Sequence, residues 1–220
     1  MEVQISIKWI LPSGILRAFT RPGRAWSGKG KNMNSVKKRS IGTGFSMVVQ
    51  PAFIIGTCNE DGSDNFAPIT WVSATCEKEN VYLLVTSMFG SKTTKRNVQR
   101  NGKLSVNLVS RDMVGLMDYF GTHHAKDGKK NALDYSVSRG EKVDVPVLDA
   151  SRWVYECEVE QSVETGDSTT FFCRVLNIQC DEKMQCTDPF GIDLTQLDPI
   201  ICSGQYHSIG SLLGKIGDFS

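Results

Sequence analysis

The sequence predicts a mainly β domain, an antiparallel barrel with a few short inserted helices. Three observations carry this. From residue 45 onward, apolar runs of strand length are separated by turns rich in Gly, Asp and Asn. The last third pairs "SRWVYECEVEQSVE" with "DSTTFFCRVLNIQCDE" across "TGD". There Trp153, Tyr155, Cys157 and Val159 fall on one face, with Arg152, Glu156, Glu158 and Glu160 mainly on the other, the period-2 pattern of a half-buried hairpin. Strands do not alternate with helices, which excludes a doubly wound parallel sheet.

The elements follow in order. "FSMVVQPAFIIGTCN" is apolar but contains Pro51, so it reads as a strand that bends or starts twice. "EDGSDN" is a turn, "FAPITWVSATC" a second strand with an internal proline, and "NVYLLVT" a third. Ser91–Asn101 reads as a short helix that Ser91 can cap and Gly102 closes. "KLSVNLVS" is a fourth strand. Residues 112–121 read as a helix capped by Asp112 and stopped by Gly121. His123 to Gly140 is polar and reads as a loop with at most one helical turn.

Composition bounds the function. At 220 residues, 40% hydrophobic and 22% charged, the chain can bury a substantial core without staples. No apolar run reaches about 18 residues, so no segment reads as a membrane-spanning helix. The seven cysteines are an odd number without a CxxC pair, Cys180 and Cys186 are too far apart for a zinc knuckle, and the three histidines lack ligand spacing. Reduced thiols in a cytoplasmic protein with no metal are the expectation. Residues 1–40 carry nine Lys/Arg against Glu2 alone, a net of +8, which leaves −7 for the remainder. That excess of acid argues against a nucleic-acid face on the main body.

Residues 1–35 therefore read as a basic, flexible extension, ending in a Gly/Lys/Ser/Asn stretch. A targeting segment, a plain tail, and translation that begins at Met33 all fit it; the last two are preferred. Residues 36–220 form the functional domain.

Two stretches invite a ligand. In "GSKTTKRN", Gly90 frees a turn, and Ser91, Lys92, Thr93, Thr94 and Arg96 bring hydroxyls and cations to a helix start, where backbone N–H groups attract an anion such as phosphate. No GxxxxGK[ST] pattern is present, and "IGTGFS" lacks the third glycine of a dinucleotide fingerprint. An ordinary capped helix explains the same residues equally well. In "DNFAPITWVSAT", Pro68 leaves backbone groups unpaired, Thr70, Ser73 and Thr75 add hydroxyls, and Trp71 offers a flat face for a planar ligand. An edge strand with a bulge is the competing explanation.

The succession "P-x-F-I-I-G-T-x-x-E-D-G-x-x-N-x-A-P-I-T-W", "S-K-T-T-K-R-N-V" and "N-G-K-L-S-V-N" resembles the flavin reductase-like family. The likeness continues through "DVPVLDASRWVYECEVE", "TFFCRVLNI" and "LDPIICSGQYHSIG", covering roughly residues 36–217. No single motif is highly specific; their order and spacing carry the resemblance. It implies an FMN-binding split β-barrel. It further implies that Ser91, Lys92, Thr93, Thr94 and Asn97 hold the FMN phosphate. Asn65, Ala67, Pro68, Thr70, Trp71 and Ser73 would lie along the isoalloxazine and ribityl chain, with Tyr206 closing the pocket. FMN in such proteins sits near a dimer interface, so a homodimer is implied.

The expected function is an FMN-dependent oxidoreductase. NADH or NADPH would reduce the flavin, which passes electrons to free flavin, a small-molecule acceptor or a redox partner protein. A non-enzymatic, flavoredoxin-type electron carrier is the alternative. Because the flavin performs the redox step, no catalytic side chain is expected. His123–His124 and Lys126–Lys130 read as surface loop, and Cys157, Cys173 and Cys202 as structural thiols.

Overall fold

Among the described residues, short runs rich in β-branched and aromatic residues pair into three sheets, each antiparallel throughout. The computed structural model describes residues 35–43, 49–78, 81–123, 134–184 and 192–214. His124, Lys126–Lys130, Cys186 and the basic segment through residue 34 lie outside them. Residues 45–209 form one compact unit that contains every described strand and helix. Residues 1–44 and 210–220 form another, and its described residues carry neither helix nor strand.

The main sheet has seven strands: β2 (Phe53–Cys58), β3 (Asp64–Ile69), β4 (Val72–Lys78), β5 (Val81–Phe89), β6 (Lys103–Leu108), β9 (Trp153–Thr165) and β10 (Ser168–Cys180). Their spatial order is β3-β2-β6-β9-β10-β5-β4. The edge strands β3 and β4 follow one another in the chain with only Thr70 and Trp71 between them. Two residues span too little distance to leave the sheet open there, so its ends curl back into a barrel without a hydrogen-bonded seam. "FAPITWVSATC" is thus two strands rather than one. The break falls at Thr70–Trp71, not at Pro68, which stays in β3 opposite Ile54. An edge strand tolerates the proline because its missing N–H faces away from the ladder.

Ile55, Val72, Leu84, Met88, Leu104, Val106 and Phe171 fill the barrel, together with Cys157 and Cys173. Both thiols are fully buried and behave as small hydrophobes; burial pushes Cys173 up to about 12. A second cluster packs Ile54, Phe66, Val109 and Leu148 against Met113, Met117 and Phe120, covering the outer side of β2 and β3.

Two helices flank the barrel. α1 (Thr93–Asn101) ends at Gly102, whose φ of 69° supplies the left-handed residue that a helix stop requires. α2 (Val114–Thr122) follows a 3-10 turn at Arg111–Met113. Its preceding residue is Met113, and Asp112 instead accepts a hydrogen bond from Ser110 and pairs with Arg152 at 2.8 Å. Gly121 lies inside α2, where its missing Cβ allows close approach: a methyl there meets Pro68 Cγ at 3.3 Å. The polar stretch before Gly140 contains a strand, β7 (Val137–Arg139), paired with β8 (Pro146–Leu148). A short helix, α3 (Leu194–Leu197), precedes a small sheet of β1 (Gln50–Pro51), β11 (Ile200–Cys202) and β12 (Tyr206–Ser208). β1 and β2 are the two starts that Pro51 foreshadowed.

The β9–β10 hairpin departs from simple alternation. Val175 opposes Cys157 but Asn177 opposes Glu156, so Leu176 is an extra residue that resets the register. Glu156 points into a fully buried site rather than outward to solvent. The chain that carries Lys142 and Val143 covers that face.

Candidate functional site

Gly90, at φ 72°, turns the chain from β5 toward α1, and its N–H donates to Asp167 O at 3.0 Å in the β9–β10 turn. Lys95 Nζ donates to the same carbonyl at 2.9 Å. The first helical bond of α1 runs from Arg96 N–H to Lys92 O at 3.1 Å. The N–H groups of Thr93, Thr94 and Lys95 therefore have no acceptor within the helix. Lys92, not Ser91, is the N-cap residue; no side chain caps the helix, and its first turn has no acid. The positive end of the helix is open.

The hydroxyls beside it are biased toward donation. Asn65 Nδ2 donates to Thr94 Oγ1 at 2.8 Å, and Arg96 donates to Thr93 Oγ1 at 3.1 Å. A hydroxyl that accepts an N–H keeps its own hydrogen to give. Two threonine O–H groups, backbone N–H groups unpaired within the helix and the exposed Ser91 and Lys92 thus surround the start of α1. An acceptor-rich, anionic group suits such a set, and a phosphate monoester has that chemistry.

Behind the helix start lies a buried amide network. Asn65, Thr94 and Asn97 are each at most 4% exposed, and Thr57 is fully buried. Asn65 Nδ2 and Asn97 Nδ2 both donate to Thr57 Oγ1 at 3.1 Å, and Asn97 Nδ2 also reaches Asn59 Oδ1 at 2.9 Å. Asn97 faces the sheet through these bonds. Thr57 and Asn59 escaped the sequence reading. Their one signal is a lone hydroxyl at the end of the apolar run "FIIGT", two residues before an Asn-led turn.

The remaining candidates lie along β3 and its exit. Ala67 opposes Ile55, and both Ala67 and Pro68 are half-buried. Thr70 donates its hydroxyl to Gln50. Trp71 is 48% exposed, and its carbonyl accepts from Ser87 N–H at 3.1 Å. Ser73 is exposed on β4 opposite Val85. The Asn65–Thr94 bond joins this strand to the helix start. Tyr206 is held elsewhere: its hydroxyl donates to Asp118 Oδ1 on α2 at 3.0 Å. Partial burial, reinforced by that bond, pushes Tyr206 up to about 12. α2 packs Gly121 on Pro68, so one helix touches both β3 and Tyr206.

A second buried polar centre lies at Glu156. Burial alone would raise its carboxyl. Hydrogen bonds from Val143 N–H (2.8 Å), Asn177 Nδ2 (2.7 Å), Lys142 N–H (2.7 Å) and Gln179 Nε2 (2.9 Å) outweigh it and hold the group at about 2. Gly140 closes this site: a Cβ there would lie 2.3 Å from Val143 O and 2.7 Å from Glu156 Oε2. Every Glu156 donor is structural, so this centre fastens the covering segment to the barrel. Among the described residues, no group of three His, Cys, Asp or Glu is arranged to hold a metal. None of the described helices is long and apolar enough to cross a membrane.

Comparison with known proteins places the fold. Residues 45–193 match the flavin reductase like domain. The flavoredoxin of Desulfovibrio vulgaris (Miyazaki F) superposes with a TM-score of 0.73 at 24% identity, over 82% of this chain and 98% of its own. A Shewanella frigidimarina protein with a split barrel domain gives 0.68 at 19%, over 76% of this chain and 85% of its own. An FMN-binding protein from Thermus thermophilus gives 0.63 at 18%, over 79% and 95%. No curated protein sequence matches the chain. With the family domain spanning 149 of the 220 residues, and a seven-stranded antiparallel barrel to carry it, the chain belongs to the flavin reductase-like family.

Proposed function

We propose that the protein is an FMN-dependent oxidoreductase of the flavin reductase type, taking electrons from NADH or NADPH and passing them to free flavin, another small acceptor or a partner protein. The observation that carries this is the donor-rich, uncapped start of α1, tied by Asn65 to the strand leading to Trp71. A phosphate at α1 leaves the rest of an FMN molecule to extend toward β3 and the Thr70–Trp71 corner. Bound FMN supplies the redox chemistry.

The chain's own residues bind and orient. Backbone N–H groups of Thr93, Thr94 and Lys95, with the hydroxyls of Ser91, Thr93 and Thr94, donate to the phosphate, and Lys92 neutralises it. Asn65 and Asn97 set the helix against the sheet. Ala67, Pro68, Thr70 and Ser73 bound the ribityl and ring portions, and Trp71 presents its exposed face to them. Tyr206, held on Asp118 of α2, reaches the flavin only through that helix, which packs Gly121 on Pro68.

The second reading, an electron carrier without turnover, is favoured by the likeness to a flavoredoxin. NADH and NADPH oxidation with added FMN separates the two. Turnover supports the reductase, whereas tight FMN binding without turnover supports the carrier. We further propose a homodimer acting in the cytoplasm, where buried thiols such as Cys157 and Cys173 stay reduced.

A further inference from the structure

We infer that Thr57, with Asn59, is a positioning residue that aims the phosphate-binding end of α1, an inference that rests on the FMN reading above. Thr57 sits on β2 opposite Asn65 and on the same strand face as the core residue Ile55. It has no exposed surface, so it touches no ligand itself. Its Oγ1 accepts from two amides at once, Asn65 and Asn97, each at 3.1 Å. The same two amide nitrogens reach outward, Asn65 to Thr94 at 2.8 Å and Asn97 to Asn59 at 2.9 Å.

The bonds form one chain, Thr94–Asn65–Thr57–Asn97–Asn59, in which both Asn97 hydrogens and both Asn65 hydrogens have acceptors. Thr94 is in the first turn of α1 and Asn97 in the second, so the helix is referenced to one buried oxygen at two successive turns. The other side-chain tethers of α1, Lys95 to Asp167 O, Arg100 to Cys58 O and Gln99 to Glu164, are exposed and compete with water. Buried bonds do not, and they fix the direction of the helix more tightly.

Donors converge on a phosphate only if the helix start keeps its place. Valine at position 57 preserves volume and β-branching but offers no acceptor. Two buried amide hydrogens lose their partner, and α1 must shift or rotate to satisfy them. Affinity that depends on preorganised donors falls with that shift. Contacts along β3 to the rest of a flavin do not depend on Thr57 in the same way.

FMN and riboflavin differ only by the phosphate, so their ratio isolates the effect. Each is titrated against the protein by quenching of flavin fluorescence. In Thr57→Val, the Kd for FMN should rise about tenfold while that for riboflavin changes less than about twofold. Thr57→Ser, which keeps the acceptor, should restore the preference. Asn59→Ala lies on the turn outside the barrel core and should shift the ratio the same way by about threefold; it carries the test if the valine variant does not fold. Equal weakening of both flavins in the valine and alanine variants, or an unchanged ratio in both, overturns the positioning role. Wild-type protein that binds FMN no better than riboflavin overturns the phosphate site itself, a distinct failure visible before any variant is made.

Discussion

Asn65 and Thr94 lie 29 positions apart, on different elements, and share a 2.8 Å hydrogen bond between two largely buried side chains. This bond joins the strand proposed to border the flavin to the helix proposed to hold its phosphate. It also biases the Thr94 hydroxyl, which accepts from the amide and keeps its hydrogen to give. One contact thus shapes both the position and the chemistry of the site.

Replacing Asn65 with Leu removes the donor that orients Thr94 and strands Thr57 and Thr94 without their shared partner. FMN affinity should fall by about tenfold or more, and stability by about 1–3 kcal/mol. Fluorescence titration and urea unfolding of the same preparation measure both. Unchanged FMN affinity would detach Asn65 from the site.

The two threonines of α1 act differently, and their variants should show it. Thr93→Ala removes a half-buried hydroxyl that holds only Arg96, so it should weaken FMN about tenfold with little effect on stability. Thr93→Ala with Thr94→Ala should cost about 3 kcal/mol of binding, roughly a hundredfold. Calorimetric titration of the single and double variants reads the difference. A double variant that binds FMN like wild type refutes the placement of the phosphate.

Glu156 predicts an acid dependence of stability. Its folded pKa of about 2 lies below the ordinary value of 4.5. The carboxylate's contribution is therefore fully present above about pH 4.5 and is lost as pH falls toward 2. A shift of that size corresponds to about 3 kcal/mol, of which about 2 kcal/mol is gone by pH 3. The stability gap between wild type and Glu156→Gln, measured by urea unfolding, should narrow by about that amount between pH 6 and pH 3. A gap that does not change with pH means the four donors do not hold a charge.

Gly140→Ala tests the same centre by volume. The added methyl would lie 2.3 Å from Val143 O, a backbone atom that cannot swing aside. The segment must move away from Glu156, at a cost of about 2 kcal/mol or more and a fall in Tm of several degrees. Thermal unfolding at neutral pH checks it; a Tm within one degree of wild type contradicts the close packing.

Much of this was legible in the sequence, because the strongest signals are local. Gly102 stops α1 at the residue where the chain turns left-handed, and Pro51 marks the double start of β1 and β2. The clustering of Ser91, Lys92, Thr93 and Thr94 is visible without a structure. What escaped depends on register and on cover. Thr57 gains meaning only when β2 pairs with β3 and α1 lands across both, which brings Asn65 and Asn97 to one oxygen. Glu156 follows the outward parity of its neighbours on paper. The extra residue Leu176 brings Asn177 opposite it, and the chain at Lys142–Val143 closes over it. Ser91 has the composition of a cap, yet the helix begins one residue too late for it to serve as one.

FMN binding is tested most directly by the visible spectrum of the purified protein, followed by heat release and mass identification of any chromophore. A flavin-binding barrel gives flavin absorbance and released FMN, or stoichiometric uptake of added FMN where none is retained. A colourless protein that does not take up added FMN contradicts FMN binding.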